Sequence, residues 1–148
     1  MRILLAIDAS SESQKAVDAV AERPWPKASA VRIISVVPPY VPGAAEFVPG
    51  AATASEVMSD HESDARRFAT RVADRLHGTG MPLEVVVKQG DPARSIVEEA
   101  TEWRADLIVV GSHDRRGLER LVLGSVAREV VNHAPCSVEV VRERPDVA

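Results

Sequence analysis

A single cysteine, Cys136, stands in a chain of 148 residues, which excludes an intramolecular disulfide and a thiolate metal cluster. Aromatic residues make up only 3%. The core therefore falls to Val, Leu, Ile and Ala, and no row of rings is available on which single-stranded nucleic acid would stack. Eighteen Lys and Arg against 22 Asp and Glu leave a formal charge of −4, the wrong sign for a phosphate-backbone partner. No apolar run reaches the roughly 18–20 residues of a membrane helix. The opening MRILLAIDASS has too short an apolar stretch for a secretory signal. No glycine is followed by Lys-Ser/Thr as in a Walker-type loop, there is no G-x-S-x-G elbow, and no nucleophile comes with a base and an orienting acid. His61, His77, His113 and His133 lack metal-ligand spacing. The expectation is one cytoplasmic domain over residues 1–148, without nucleic-acid or membrane partners and without a metal site.

What the chain does contain is an alternation of short apolar runs and helical periods. Residues 3–7 (ILLAI) form a continuous apolar run, the mark of a strand buried on both faces, and it ends at Asp8. Ser11 with Gln14 three residues on reads as a capping box, followed by the apolar stripe Ala16, Val17 and Val20 and stopped at Pro24 and Pro26. A second strand is predicted at Val31–Val37. Pro38–Ser55 carries four prolines and two glycines with almost no charge, and is predicted to be a long loop at the mouth of any site beside it.

Val57, His61, Ala65, Phe68, Val72 and Leu76 trace one face of a long helix ended by Gly78 and Gly80. Leu83–Lys88 is the third predicted strand. Gly90-Asp91-Pro92 supplies a turn, an N-cap carboxylate and a proline at the first helical position, with Ile96, Val97 and Ala100 facing the core. Leu107–Val110, a last helix at Ser125–His133 and a fifth strand at Ser137–Arg142 complete the series. This pattern predicts an α/β fold: a single open, mostly parallel five-stranded sheet, Rossmann-like or flavodoxin-like, with helices on both faces. Ligands of such sheets bind outside the carboxyl ends of the strands, at the switch point.

Between the fourth strand and the last helix the chain reads GSHDRRGLERLVLGS, with Gly111, Gly117 and Gly124 and the basic pair Arg115 and Arg116. Glycine permits close backbone approach, and the helix that opens at Gly124-Ser125 offers free N–H groups suited to phosphate. An ordinary strand-to-helix loop accounts for the same glycines. Cys136, in an apolar stretch, reads as a small core hydrophobe.

LLAIDASSES, VVKQGDPARSIVEEA, ADLIVVGSHD and LVLGSVAREVVNHAPCSVEVVR, which span nearly the whole chain, resemble the universal stress protein family. The resemblance implies a regulatory or sensory protein of the stress response that binds ATP, AMP or ADP, with or without Mg or Mn, and forms a homodimer through its last strand. At most it implies slow ATP hydrolysis, and no catalytic residue is assigned. In the nucleotide-binding branch a G-x2-G-x9-G-S/T motif holds phosphates and ribose. Gly111, Gly124 and Ser125 match it, while Asp114 replaces the second glycine and His113 precedes it. By the same resemblance Ala6, Ile7, Asp8 and one of Val36 or Val37 meet the nucleoside, with Val126 and Ala127 following Ser125. Asp8 equally fits a capping carboxylate ahead of Ser10 and Ser11, and the valines fit simple core packing.

Asp114 is expected to weaken triphosphate affinity by charge and shape, unless a divalent cation bridges it to the phosphates. Glu139, central in the last strand, would repel its copy across a two-fold axis unless Arg142 or Arg128 reaches it. Two alternatives share the fold: a dimeric interaction module without nucleotide, and a flavodoxin-like enzyme or flavin carrier, which five aromatic residues support poorly.

Overall fold

The computed structural model describes residues 1–41, 52–112 and 123–142. Strands β1 (Arg2–Ile7), β2 (Ala30–Val37), β3 (Leu83–Gln89), β4 (Leu107–Gly111) and β5 (Ser137–Val141) form one parallel sheet in the order β3-β2-β1-β4-β5. Between them run helices α1 (Ser11–Glu22), α2 (Ala54–Leu76), α3 (Pro92–Trp103) and α4 (Ser125–His133). The chain builds outward from β1 to β2 and β3, then returns to place β4 and β5 on the other side. The switch point therefore falls beside β1.

The two-residue period of β1 decides which helix covers which face. Ile3, Leu5 and Ile7 pack with Val31 and Ile33 of β2 beneath Val17 and Val20 of α1 and Val72 and Leu76 of α2. Leu4 and Ala6 turn the other way, with Ile34 and Ile108, against Ile96 and Ala100 of α3 and Ala127 and Val130 of α4. Burial on both faces is why β1 reads as an unbroken apolar run, and each fully buried Ile or Leu there contributes about 1.5–3 kcal/mol relative to exposure.

Local chemistry shifts several of the sequence expectations. The cap of α1 is Ser10, whose hydroxyl accepts from Ser13 N at 3.1 Å, while Ser11 donates to Glu12 at 2.9 Å. Ser10 holds the extended backbone of an N-cap and Ser11 is already helical. The predicted loop ends two residues early, because Thr53 and Glu56 form a capping box that starts α2 at Ala54; residues 42–51 of that loop lie outside the described residues.

In α3, Val97 is only half-buried and Glu99 takes the inward position, 4% exposed. Arg32 of β2 and Lys88 of β3 project from the sheet beneath it, each 2.6 Å from one Glu99 oxygen. Arg32 also pairs with Glu84 and lies 4.5 Å over the Trp103 ring. Burial pushes the Glu99 carboxyl up, but the hydrogen bonds from Lys88 and Arg32 outweigh it and hold the group below the usual carboxylate range.

The stripe of α2 buries Ala69, Val72 and Leu76 but leaves His61 exposed, edge-on to Tyr40 at 6.2 Å. Glu62 already accepts from Gln89, the last residue of β3, at 3.0 Å, so the turns before it project past the sheet. Cys136 is half-buried against the α3–α4 core, and that burial pushes its thiol up.

Candidate functional site

At the carboxyl ends of β1, β2 and β4, between the first turns of α3 and α4, the sheet encloses a cavity of about 440 Å³. Its walls are apolar: Ala6, Ile34, Val36 and Val110 from the strands, Ile96 from α3, and Val126 and Ala127 from α4. Its polar groups are Asp8, Ser10 and Ser13 after β1, Asp91 at the start of α3 and Ser125 at the start of α4. No Lys or Arg lines it among the described residues.

The polar groups after β1 and at the start of α3 are held by local backbone. Asp8 Oδ1 accepts from Ser10 N at 2.8 Å, and Asp8 N donates to Ser13 Oγ at 2.9 Å. The carboxylate thus organises the turn into α1, the capping role the sequence offered, and Asp8 also lines the cavity. Asp91 caps α3, its Oδ1 accepting from Arg94 N at 2.8 Å. Gly90 donates to Val37 O at 3.0 Å from a backbone with φ +139, a conformation glycine tolerates and that ties this turn to the end of β2. At α4 the N-cap is Gly124, which has no side chain with which to satisfy the first amides. The first turn, Ser125 to Ala127, therefore lines the cavity with uncapped N–H groups and the positive end of the helix.

Ala6, Ile7, Asp8, Val36, Gly111, Ser125, Val126 and Ala127, all singled out from the sequence, meet in this one cavity. Val36, half-buried, is the β2 residue that lines it. Val37 is buried, its carbonyl is taken by Gly90, and it does not line the cavity. Gly124 stands behind the lining as the cap of α4. His113, Asp114, Arg115, Arg116 and Gly117 lie outside the described residues.

Gly111 has a requirement unconnected with any ligand. A Cβ there would stand 2.7 Å from Glu12 C, 2.8 Å from Glu12 O and 2.9 Å from Ser13 N. Glycine lets the first turn of α1 close onto the end of β4. Sequence reasoning missed Ser10, Ser13, Ile34, Pro38, Asp91, Pro92, Ile96 and Val110 as lining residues; the available signal was their place at strand ends and helix starts, where the fold collects them.

A five-stranded, doubly wound α/β sheet with a cavity at its switch point is the class that fold and site define. The chain belongs to the universal stress protein family, whose model matches residues 1–142. It is 34% identical to the putative universal stress protein SH1215 of Staphylococcus haemolyticus, with 95% of this chain and 83% of that protein covered. It is also 34% identical to universal stress protein Sll1388 of Synechocystis over 59% of this chain. The matched stretch spans about half the length of that protein (56%) and of universal stress protein MJ0531 of Methanocaldococcus jannaschii (51%). Among solved structures, hypothetical protein MJ0577 superposes with a TM-score of 0.82 at 23% identity, covering 98% of this chain and 97% of that one. A universal stress protein family protein from Arabidopsis thaliana with AMP bound (TM-score 0.64, 21% identity, covering 99% and 94%) and a universal stress protein in complex with cAMP (0.68, 22%, covering 97% and 98%) share the fold.

Proposed function

We propose that this protein binds an adenine nucleotide in the cavity at the switch point and acts in the cytoplasm as a regulatory or sensory protein of the stress response rather than as a catalyst. One observation carries the reading: eight residues matched to the family's nucleotide site from separate stretches of chain line one cavity. Its volume lies within the range of about 300–1,000 Å³ typical of small-molecule sites. The apolar walls suit a base, the uncapped first turn of α4 suits phosphate, and two structures of the same fold hold AMP and cAMP. Calorimetric titration with AMP and ATP tests this. Wild type is expected to bind AMP. Val126→Trp, which fills the cavity from α4, is expected to weaken that binding at least tenfold without lowering the melting temperature. An unchanged affinity in that variant removes this cavity as the site.

Asp114 bears on which nucleotide is favoured. Asp114→Gly is expected to tighten ATP by about 5–30-fold, roughly 1–2 kcal/mol, and AMP much less. Unchanged ATP affinity in the presence of Mg or Mn would instead support a cation bridging Asp114 to the phosphates.

We also propose a homodimer through β5, an edge strand of the sheet. Val141 O accepts from Ser112 N at 3.0 Å, so alternation along the strand turns the backbone groups of Val138 and Val140 outward, away from β4. The repulsion expected of Glu139 is offset within its own chain, by a residue other than Arg142 or Arg128. Arg23 holds Glu139 with two hydrogen bonds of 2.5 and 2.6 Å while stacking on Trp25, and this keeps the carboxyl below its usual range. Val140→Pro removes an outward donor and is expected to give a monomer in sedimentation where wild type gives a dimer.

A further inference from the structure

We infer that Asp91 is a specificity-determining residue of the cavity, accepting a hydrogen bond from a sugar hydroxyl of the bound nucleotide and so selecting ribonucleotides over their deoxy counterparts. This rests on the nucleotide reading and extends it to a residue that the family motif does not include.

The distribution of polar groups carries the inference. Two carboxylates, Asp8 and Asp91, flank the cavity from β1 and from α3, with no Lys or Arg among the described lining residues. A ligand atom that meets either carboxylate directly is favoured as a hydrogen-bond donor, since a phosphate oxygen in that contact would be repelled. An adenine nucleotide has an apolar, flat base, a donor-bearing sugar and an anionic tail. The base matches the walls formed by Ile34, Val36, Ile96 and Val110. The anionic tail matches the first turn of α4, whose Ser125 and Val126 line the cavity beside Asp91. The sugar joins base to tail, and Asp91, next to both Ile96 and the first turn of α4 in the lining, stands where it would lie.

Asp91 is also built to serve without moving. Its Oδ1 is taken by Arg94 N, and the preceding Gly90 is hydrogen-bonded to β2. Its other oxygen accepts no hydrogen bond among the described residues, which leaves a charged acceptor at the exposed rim. Hydrogen bonds to such an acceptor are stronger than neutral ones, and loss of the donor then costs about tenfold or more in affinity.

The test is calorimetry of AMP, 2′-deoxy-AMP and 3′-deoxy-AMP on wild type and on Asp91→Ser. Serine keeps an N-cap oxygen for α3 and withdraws the second acceptor, and unchanged thermal unfolding confirms that the cap survives. Wild type is expected to bind AMP at least tenfold more tightly than one of the deoxy forms, and the variant to reduce that ratio to about threefold or less. Asp91→Asn, which keeps the cap geometry but replaces the charged acceptor, is expected to give an intermediate ratio. Equal affinities of wild type for all three nucleotides overturn the assignment alone, as does an undiminished ratio in the serine variant. No binding of any of them by wild type overturns the nucleotide reading and this assignment with it.

Discussion

The two faces of the sheet are built from the same strands and differ in what they leave open. Under α1 and α2 the core is closed: Ile3, Leu5, Val17, Val20 and Ile33 are fully buried, and the charged contacts there, Arg23 with Glu139 and Arg75 with Asp18, lie at the exposed edges. Under α3 and α4 the apolar packing is interrupted twice, once by the cavity and once by Glu99 with its two cations. Helices that start at the carboxyl end of a sheet bring uncapped amides and capping carboxylates with them, so the face that stays incomplete there is the one able to bind. One face supplies stability and the other gives up part of it.

The largest contrast is expected from matched core truncations. Ile33→Ala on the closed face leaves a sealed void and should cost about 2–5 kcal/mol in urea unfolding. Ile96→Ala enlarges a cavity that is already open and should cost about half as much. Equal losses would mean that the cavity is as tightly sealed as the core.

The buried charge gives an intermediate effect with a pH signature. Glu99→Gln leaves Lys88 and Arg32 short of a charged partner and is expected to cost about 1–3 kcal/mol at pH 7, less than a fully sealed pair because both cations keep some access to water. The Glu99 carboxyl is held low in the folded protein, so its stabilisation is complete above the unfolded value of about 4.3 and is lost as pH falls through the folded value. The gap between wild type and variant should therefore narrow below about pH 4. A gap constant with pH would show that the charge on Glu99 contributes little.

The smallest effect is expected on the closed face. Arg23 and Glu139 keep 42% and 30% of their side-chain surface exposed, so Arg23→Ala should lower stability by no more than about 1 kcal/mol, with part of that lost in high salt. A larger loss at low protein concentration would mean that the stacked Arg23–Trp25 pair packs more firmly than its exposure indicates.

Much of this was legible in the chain itself. The apolar run at 3–7, the β-branched run of β2 and the helical periods between them determine a parallel sheet covered on both sides, because burial on two faces leaves no polar position in the central strand β1 after Arg2 and few in β2. The cap at Asp91 was legible because the orphan amides of a helix start can be satisfied by only a few residue types, and the start of α4 was legible from Gly124-Ser125, although no side chain caps it. Tertiary structure alone decided three matters. It buried Glu99, whose burial depends on Arg32 and Lys88 arriving from strands 67 and 11 residues earlier in the chain. It made Gly111 a packing necessity, through a backbone contact with Glu12 that no local pattern encodes. And it chose Val36 over Val37 and added Asp91 to the cavity, since which side of a strand end faces the opening is fixed only when β3, α3 and α4 close around it.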